Sequence, residues 1–474
     1  MVSTTMHFMP GCEILQSFDL VHWEHVTYVY ETLDHTDAQQ LKSGQNIYGQ
    51  GMWAASLRYH EGRFYICFVA NDTRKTYLYT SEKIDGPWKK QLIEGFYHDG
   101  SLLFDEDGRN YIVYGNDEIW ITELNEDLTA PKKDGLHRLL VSDHKNPELG
   151  YEGSHIQKIN GYYYIFLVHS LRDRWMRTEA CFYSDSLEGE FTGGDVLCDD
   201  RGYCGQGVAQ GGIVDTPDGK WYAMLFQDSG AVGRIPILLP VTWKDHFPVF
   251  GQNGHVPEEI EVHSTRPGYI YQPLVGSDDF CNGLLPRWQF NHDPDPRYYH
   301  LDALQGTYTI TTREVCTELT QAVNTLTQRM SYPSCAAEVT VDASALKEGD
   351  VAGLCALQGC YAAVGITKHH GKYEVLMLDK KEDGILDMTE GTVVESHQMD
   401  FRLEADFCNM KDEARCYYRV NKGDWLPIGT VHKLYFKLDH FTGCRFGLFC
   451  YAAEETGGSA CFRDFKYYDV DEIS

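Results

Sequence analysis

The sequence predicts an all-β protein in two parts: a five-bladed β-propeller with an incomplete first blade, then a β-sandwich. Three observations carry this. A turn-plus-aromatic-strand unit repeats through the first half, the repeat stops after Gly251, and no long stretch has helical periodicity. At 474 residues the chain exceeds what one core organises, and its 43% hydrophobic residues can fill two.

The repeating unit pairs a glycine turn with a strand. Its copies run His60-Glu61-Gly62 into Arg63–Phe68, Asp105–Gly108 into Arg109–Tyr114, Asn160-Gly161 into Tyr162–Phe166, and Asp218-Gly219 into Lys220–Leu225. Asp-Gly or Asn-Gly between strand-forming runs marks a hairpin. A second half-unit follows, as in Leu78-Tyr79-Thr80-Ser81 with Gly86-Pro87-Trp88, and Phe182–Leu187 with Gly189-Glu190-Phe191. Four such units, spaced as propeller blades are, leave an earlier fifth at Ile14–Trp23. That first unit starts inside its strand at Met1, so its leading hairpin has no counterpart and the chain reads as truncated at its N-terminus.

Residues 1–264 are therefore assigned to the propeller. The Pro/Gly-punctuated stretch 265–277 reads as a linker, and 278–474 as the sandwich. In the last part the strand pattern continues without the blade signature, over Tyr308–Thr312, Ala336–Val341, Tyr373–Met377, Arg415–Val420, Leu434–Leu438 and Arg445–Tyr451.

Composition narrows function by exclusion. Forty-one basic against 70 acidic side chains give a net charge of −29. That field repels phosphate backbones, so nucleic acid is not an expected partner, whereas a neutral ligand is indifferent to it. The 15 cysteines are odd in number, scattered through apolar runs and without a CxxC pair. They read as free buried thiols of a reducing cytoplasm, not as a disulfide framework or zinc site. The start MVSTTMHFMPG has no export signal's basic and apolar regions, although an upstream segment could carry one, and no stretch is long enough for a membrane span. Neither HExxH nor GxSxG occurs, which sets aside zinc-peptidase and serine-elbow chemistry. Aromatics at 13% suit both strands and a surface on which sugar rings stack.

Several motifs, in order, resemble glycoside hydrolase family 43, the β-xylosidase and α-L-arabinofuranosidase group. They are Met9-Pro10-Gly11 with Ser17–Trp23, Met52-Trp53-Ala54-Ala55, Asp99–Gly108, Glu152-Gly153-Ser154-His155-Ile156, and Gly233-Arg234-Ile235-Pro236 leading to Pro240–Trp243. In the second part, Trp288–Pro296 and Asn324–Arg329 resemble the concanavalin-like sandwich of xylosidase-type members.

The resemblance implies an inverting exo-glycosidase that releases terminal β-D-xylosyl or α-L-arabinofuranosyl residues from hemicellulose oligosaccharides. Such a reaction uses a general acid and a base about 6.5–9.5 Å apart, with water between. Glu152 matches the acid and Asp99 the carboxylate that raises the acid's pKa by like-charge repulsion. On residues alone, His98-Asp99-Gly100 is equally a turn and Glu152-Gly153 an ordinary strand start. Trp53 and Phe8 would wall the terminal sugar subsite, and Arg234 would contact the sugar and Asp99. Gln210 replaces a histidine near the axial ion or water cluster of relatives. No cofactor is required; a structural calcium is possible, yet Asp105–Gly108 reads better as a hairpin than as a calcium loop. The base belongs to an Asp-Pro motif with which no residue of this sequence aligns. Hydrolysis is accordingly expected to be impaired, and a sugar-binding propeller without catalysis is the alternative. The pentose identity and the oligomeric state stay open.

Overall fold

The computed structural model describes residues 1–389 and 391–469. Helix within them is confined to single 3₁₀ turns, and none is long and apolar enough to cross a membrane. Each predicted glycine turn closes a hairpin: His60 faces Arg63, Phe104 faces Asn110, Ile159 faces Tyr162 and Asp215 faces Trp221. These hairpins grow into antiparallel four-stranded sheets that begin at Met52–His60, Ser101–Phe104, Glu152–Ile159 and Ala209–Asp215. A fifth sheet comprises Val2–Ser3, Gly11–Gln16 and Glu24–Tyr30, three strands where the others have four. Five such sheets make the propeller. Aliphatic and aromatic side chains fill the spaces between blades, as where Tyr164, Phe166, Leu225 and Phe250 meet. Each such buried side chain contributes about 1.5–3 kcal/mol.

The second part is a sandwich of a nine-stranded and a seven-stranded sheet. Between them lie Leu354, Val364, Phe446 and Leu448 from one sheet and Val339, Val341, Phe401 and Phe462 from the other. The expected strand at Leu434–Leu438 is absent. Leu434 is buried, but the backbone there bonds to Asp412 O and the Gln358 side chain instead of a neighbouring strand. The run is a connection that carries residues 439–443 across to the propeller. There Gly443 and Gly233, both with φ near +95°, approach so closely that a Cβ on Gly233 would strike the Gly443 backbone and one on Gly443 the Val232 carbonyl.

Two further ties join the parts. Phe8–Met9 leaves the first blade to pair with Phe290 and Asn291 of the nine-stranded sheet. The expected linker is strapped to blade one, with Thr265 N–H donating to Phe18 O and Gln272 N–H to the Glu24 carboxylate.

Arg58 is a half-buried cation with no carboxylate partner among its hydrogen bonds. Its guanidinium donates to Leu57 O (2.9 Å), Leu102 O (3.0 Å), Ser101 Oγ (2.6 Å) and Ile156 O (2.9 Å). It therefore ties together the innermost strands of blades two, three and four.

Candidate active site

Those innermost strands share one irregularity, and the site is built on it. In each blade the residue facing the position seven after the turn glycine is Trp53, His98, Glu152 or Ala209. The next residue is left-handed every time: Ala54 (φ 30°), Asp99 (48°), Gly153 (69°) and Gln210 (64°). The register then slips before pairing resumes at Ser56, Ser101, His155 and Gly212. A bulge of this kind re-aims side chains at a strand end, here at the same repeat position of four blades. Holding a non-glycine residue in that region costs about 1–3 kcal/mol, so the surroundings must impose it.

Glu152 and Asp99 are thereby brought together, with carboxylate oxygens within 4.8 Å of each other. His98 Nε2 stands 3.5 Å from Glu152 Oε2 and 3.7 Å from Asp99 Oδ2. Asn116 Nδ2 donates to Glu152 Oε2 at 2.7 Å, and Gly153 N–H donates to Asp99 Oδ2 at 3.0 Å. Asp99 is 5% exposed and the Glu152 side chain 17%. Burial is the largest influence on Asp99 and, with the neighbouring Glu152 charge, pushes it up to about 6. Burial also raises Glu152, but the hydrogen bond and charge of His98, joined by Arg177 and Arg234, outweigh it and hold Glu152 below the ordinary glutamate value. The sequence reading put the elevation on Glu152; the free site puts it on Asp99, the deeper group, while Glu152 faces the cations. Burial lowers His98, but the bond to Glu152 and both carboxylate charges win and raise it to about 8.

Trp53 stands beside this cluster, its ring 6.4 Å from His98 between centroids. Phe441, delivered by the sandwich connection, meets Trp53 edge-to-face at 5.3 Å. The Arg234 guanidinium lies 4.2 Å from the Phe441 ring centroid, and its Nε bonds to Asp228 Oδ1 at 3.3 Å. Asp228 also holds Arg177 at 3.0 Å. Arg234 thus acts on Asp99 and Glu152 through space, and its ion pair is with Asp228. Gln210 packs against Gly153, where any Cβ would lie 2.9 Å from Gln210 Cγ, and its N–H donates to the buried Glu179 carboxylate.

Phe8 is elsewhere. It is fully buried among Leu357, Phe449 and Tyr451, 3.6 Å beneath the Arg445 guanidinium. The pairing of Phe8–Met9 with the sandwich sheet turns its ring into the domain junction, so it does not wall the site. Asp105, expected in a hairpin, takes Lys158 Nζ at 2.7 Å and Tyr163 OH at 2.5 Å, and Asp107 pairs with Arg109. Cations and donors of the chain itself satisfy these carboxylates.

His98, Asn116 and Phe441 were not singled out from sequence. His98 carried no clear signal, because it stands one residue further from turn glycine Gly108 than Glu152 does from Gly161. Phe441 had none, because the contact spans two domains.

Comparison with known proteins agrees with this architecture. Residues 1–248 match the model of glycosyl hydrolases family 43, and 277–468 match the β-xylosidase C-terminal concanavalin A-like domain. A β-xylosidase of Formosa agariphila is 25% identical over 99% of this chain and 85% of its own length. A solved bifunctional GH43-CE protein of Bacteroides eggerthii superposes with a TM-score of 0.91 at 41% identity, over 99% of this chain and 60% of that one. A solved GH43 enzyme engineered to display both endo-xylanase and exo-arabinofuranosidase activity gives 0.85 at 27% identity, over 99% and 95%. With a family model matched along more than half its length and the sandwich that accompanies it, the chain belongs to glycosyl hydrolases family 43.

Proposed function

We propose that this glycoside hydrolase is an inverting exo-enzyme that removes terminal α-L-arabinofuranosyl or β-D-xylosyl residues from neutral hemicellulose oligosaccharides. The reading rests above all on the Asp99–Glu152 pair beside the Trp53–Phe441 aromatic corner. An indole face stacks on the C–H face of a sugar ring, and the sandwich connection closes one side of the funnel, which suits a chain end better than a chain interior. The relatives named for β-xylosidase and exo-arabinofuranosidase activity support a pentose.

In this reading Glu152 protonates the leaving oxygen as the glycosidic bond breaks. Asp99 tunes it. The nearest oxygens of the two carboxylates lie too close for the pair to be an acid and a base with water between, which leaves Asp99 as tuning group or nucleophile. A nucleophile must be ionised and able to reach the anomeric carbon. Asp99 is buried, bonded to Gly153 N–H and raised to about 6, which favours the tuning role. Gln210, Arg234 and Trp53 would line the subsite. The base falls in the Asp-Pro motif with no counterpart in the sequence, so turnover by these 474 residues should be slow. A propeller that binds pentose chains without cleaving them is the second reading. Free cysteines, ten of them buried, support a reducing compartment.

The test compares the chain with Glu152→Gln on nitrophenyl β-D-xyloside and α-L-arabinofuranoside, with the first-formed anomer followed by NMR. Loss of activity in the variant with an inverted product supports the proposal. A retained configuration assigns Asp99 as nucleophile instead. Saturable xylo-oligosaccharide binding with no cleavage by either protein selects the binding reading.

A further inference from the structure

The geometry points to His98 as the residue that supplies Glu152 with its proton in each turnover, a role that rests on Glu152 being the acid. Its Nε2 faces Glu152 Oε2 at 3.5 Å and Asp99 Oδ2 at 3.7 Å, so one N–H can serve either carboxylate. The imidazole sits just before the blade-three inner strand, at the repeat position with which Glu152 begins that of blade four, which fixes their mutual approach through the backbone. Asn116 Nδ2 occupies Glu152 Oε2 from the hairpin side, but an amide cannot release a proton to a carboxylate. Among the groups bonded to Glu152, His98 alone can.

The step balances simply. At rest the shared proton sits on Nε2, because the carboxylates raise His98 and the cations lower Glu152. It passes to Oε2, giving neutral His98 and neutral Glu152, and Glu152 then gives it to the leaving oxygen and is left as the carboxylate. His98, 21% exposed, regains its proton from solvent. No other reactant is needed. The charges that set this equilibrium are Glu152 and Asp99, which favour the imidazolium, and Arg74, which opposes it. Arg177 and Arg234 favour the ionised form of Glu152, and Arg234 that of Asp99. A histidine raised to about 8 keeps its proton through neutral pH, so the alkaline limit of the reaction would follow His98.

His98→Gln keeps a donor of similar reach but cannot titrate. On an unactivated substrate such as xylobiose, whose leaving group needs its proton, it should lower kcat by roughly 10²-fold, the lower range for proton transfer by a side chain. On a dinitrophenyl pentoside, whose leaving group departs unprotonated, the loss should be only a few-fold. The alkaline limb of the xylobiose profile should move to lower pH. Equal losses on both substrates with an unmoved limb would overturn the inference and leave His98 a structural contact. A second measurement needs no turnover. In ¹H–¹³C NMR titrations of the intact chain, His98 should titrate near pH 8, and Glu152→Gln should bring it down by a unit or more. Titration unmoved by that variant would refute the His98–Glu152 coupling even if the chain proves inactive. A moved titration in an inactive chain would count against the glycosidase reading while sustaining the contact.

Discussion

Replacing Arg58 with Met tests whether the three strands that carry the site are held by one guanidinium. Two effects oppose each other. Burial without a carboxylate lowers Arg58 from 12.5 to about 10, which corresponds to about 3 kcal/mol of desolvation at 1.36 kcal/mol per pKa unit. Methionine would recover that. Against it stand four charge-assisted hydrogen bonds at 2.6–3.0 Å, each contributing ~1.5–3 kcal/mol, and acceptors that would be left in a dry site. The bonds outweigh the burial, and the net loss is about 3 kcal/mol or more. At about 2–4 °C per kcal/mol for a domain of this size, the propeller transition should fall by roughly 6–12 °C in a thermal melt followed by tryptophan fluorescence. Hydrolysis should drop as well, because Leu57, Ser101 and Ile156 lie just beyond Trp53, Asp99 and Glu152 on the same strands. A melting temperature unchanged or raised would refute the reasoning, since it would mean that the half-buried charge costs more than its bonds return.

Asp99→Asn removes the carboxylate that shares His98 with Glu152; kcat should fall by at least tenfold on nitrophenyl pentosides, with circular dichroism unchanged, as expected for a group that tunes the acid. Phe441→Ala opens the aromatic corner at Trp53 and unstacks Arg234; KM for xylobiose should rise about tenfold while the sandwich melts as before, and an unchanged KM would remove the sandwich from the substrate site. The half-buried His155 is held neutral by loss of solvation and the nearby Arg58 charge, at about 3 against 6.5 in the unfolded chain. The folded state therefore binds fewer protons, and the stability this contributes is complete above pH 6.5 and lost as pH falls toward 3. His155→Gln should flatten the dependence of unfolding free energy on pH by about 1.4 kcal/mol per pH unit between pH 6 and 4, read from urea midpoints.

The sequence itself determined whatever depends on local periodicity. Turn glycines such as Gly62, Gly108, Gly161 and Gly219 set the hairpins, alternation set the strands, and the repeat set the blades, because each is a short-range preference written within a few residues. Asp99, Glu152 and Trp53 were legible through short motifs that resemble family 43, whereas the repeat alone left Asp99 an ordinary turn residue and Glu152 an ordinary strand start. Tertiary structure decided what comes from distant segments. Phe8 has the aromatic character of a subsite wall, yet strand pairing with Phe290 and Asn291 draws it into the junction. Leu434–Leu438 alternates like a strand but finds no partner edge, and so becomes the connection that carries Phe441 to Trp53. The elevated carboxyl is Asp99 rather than Glu152 because burial and the placement of His98, Arg177 and Arg234 set the local field, and those cations come from three blades. Contacts made across hundreds of residues are absent from any local pattern; they exist only once the blades have closed.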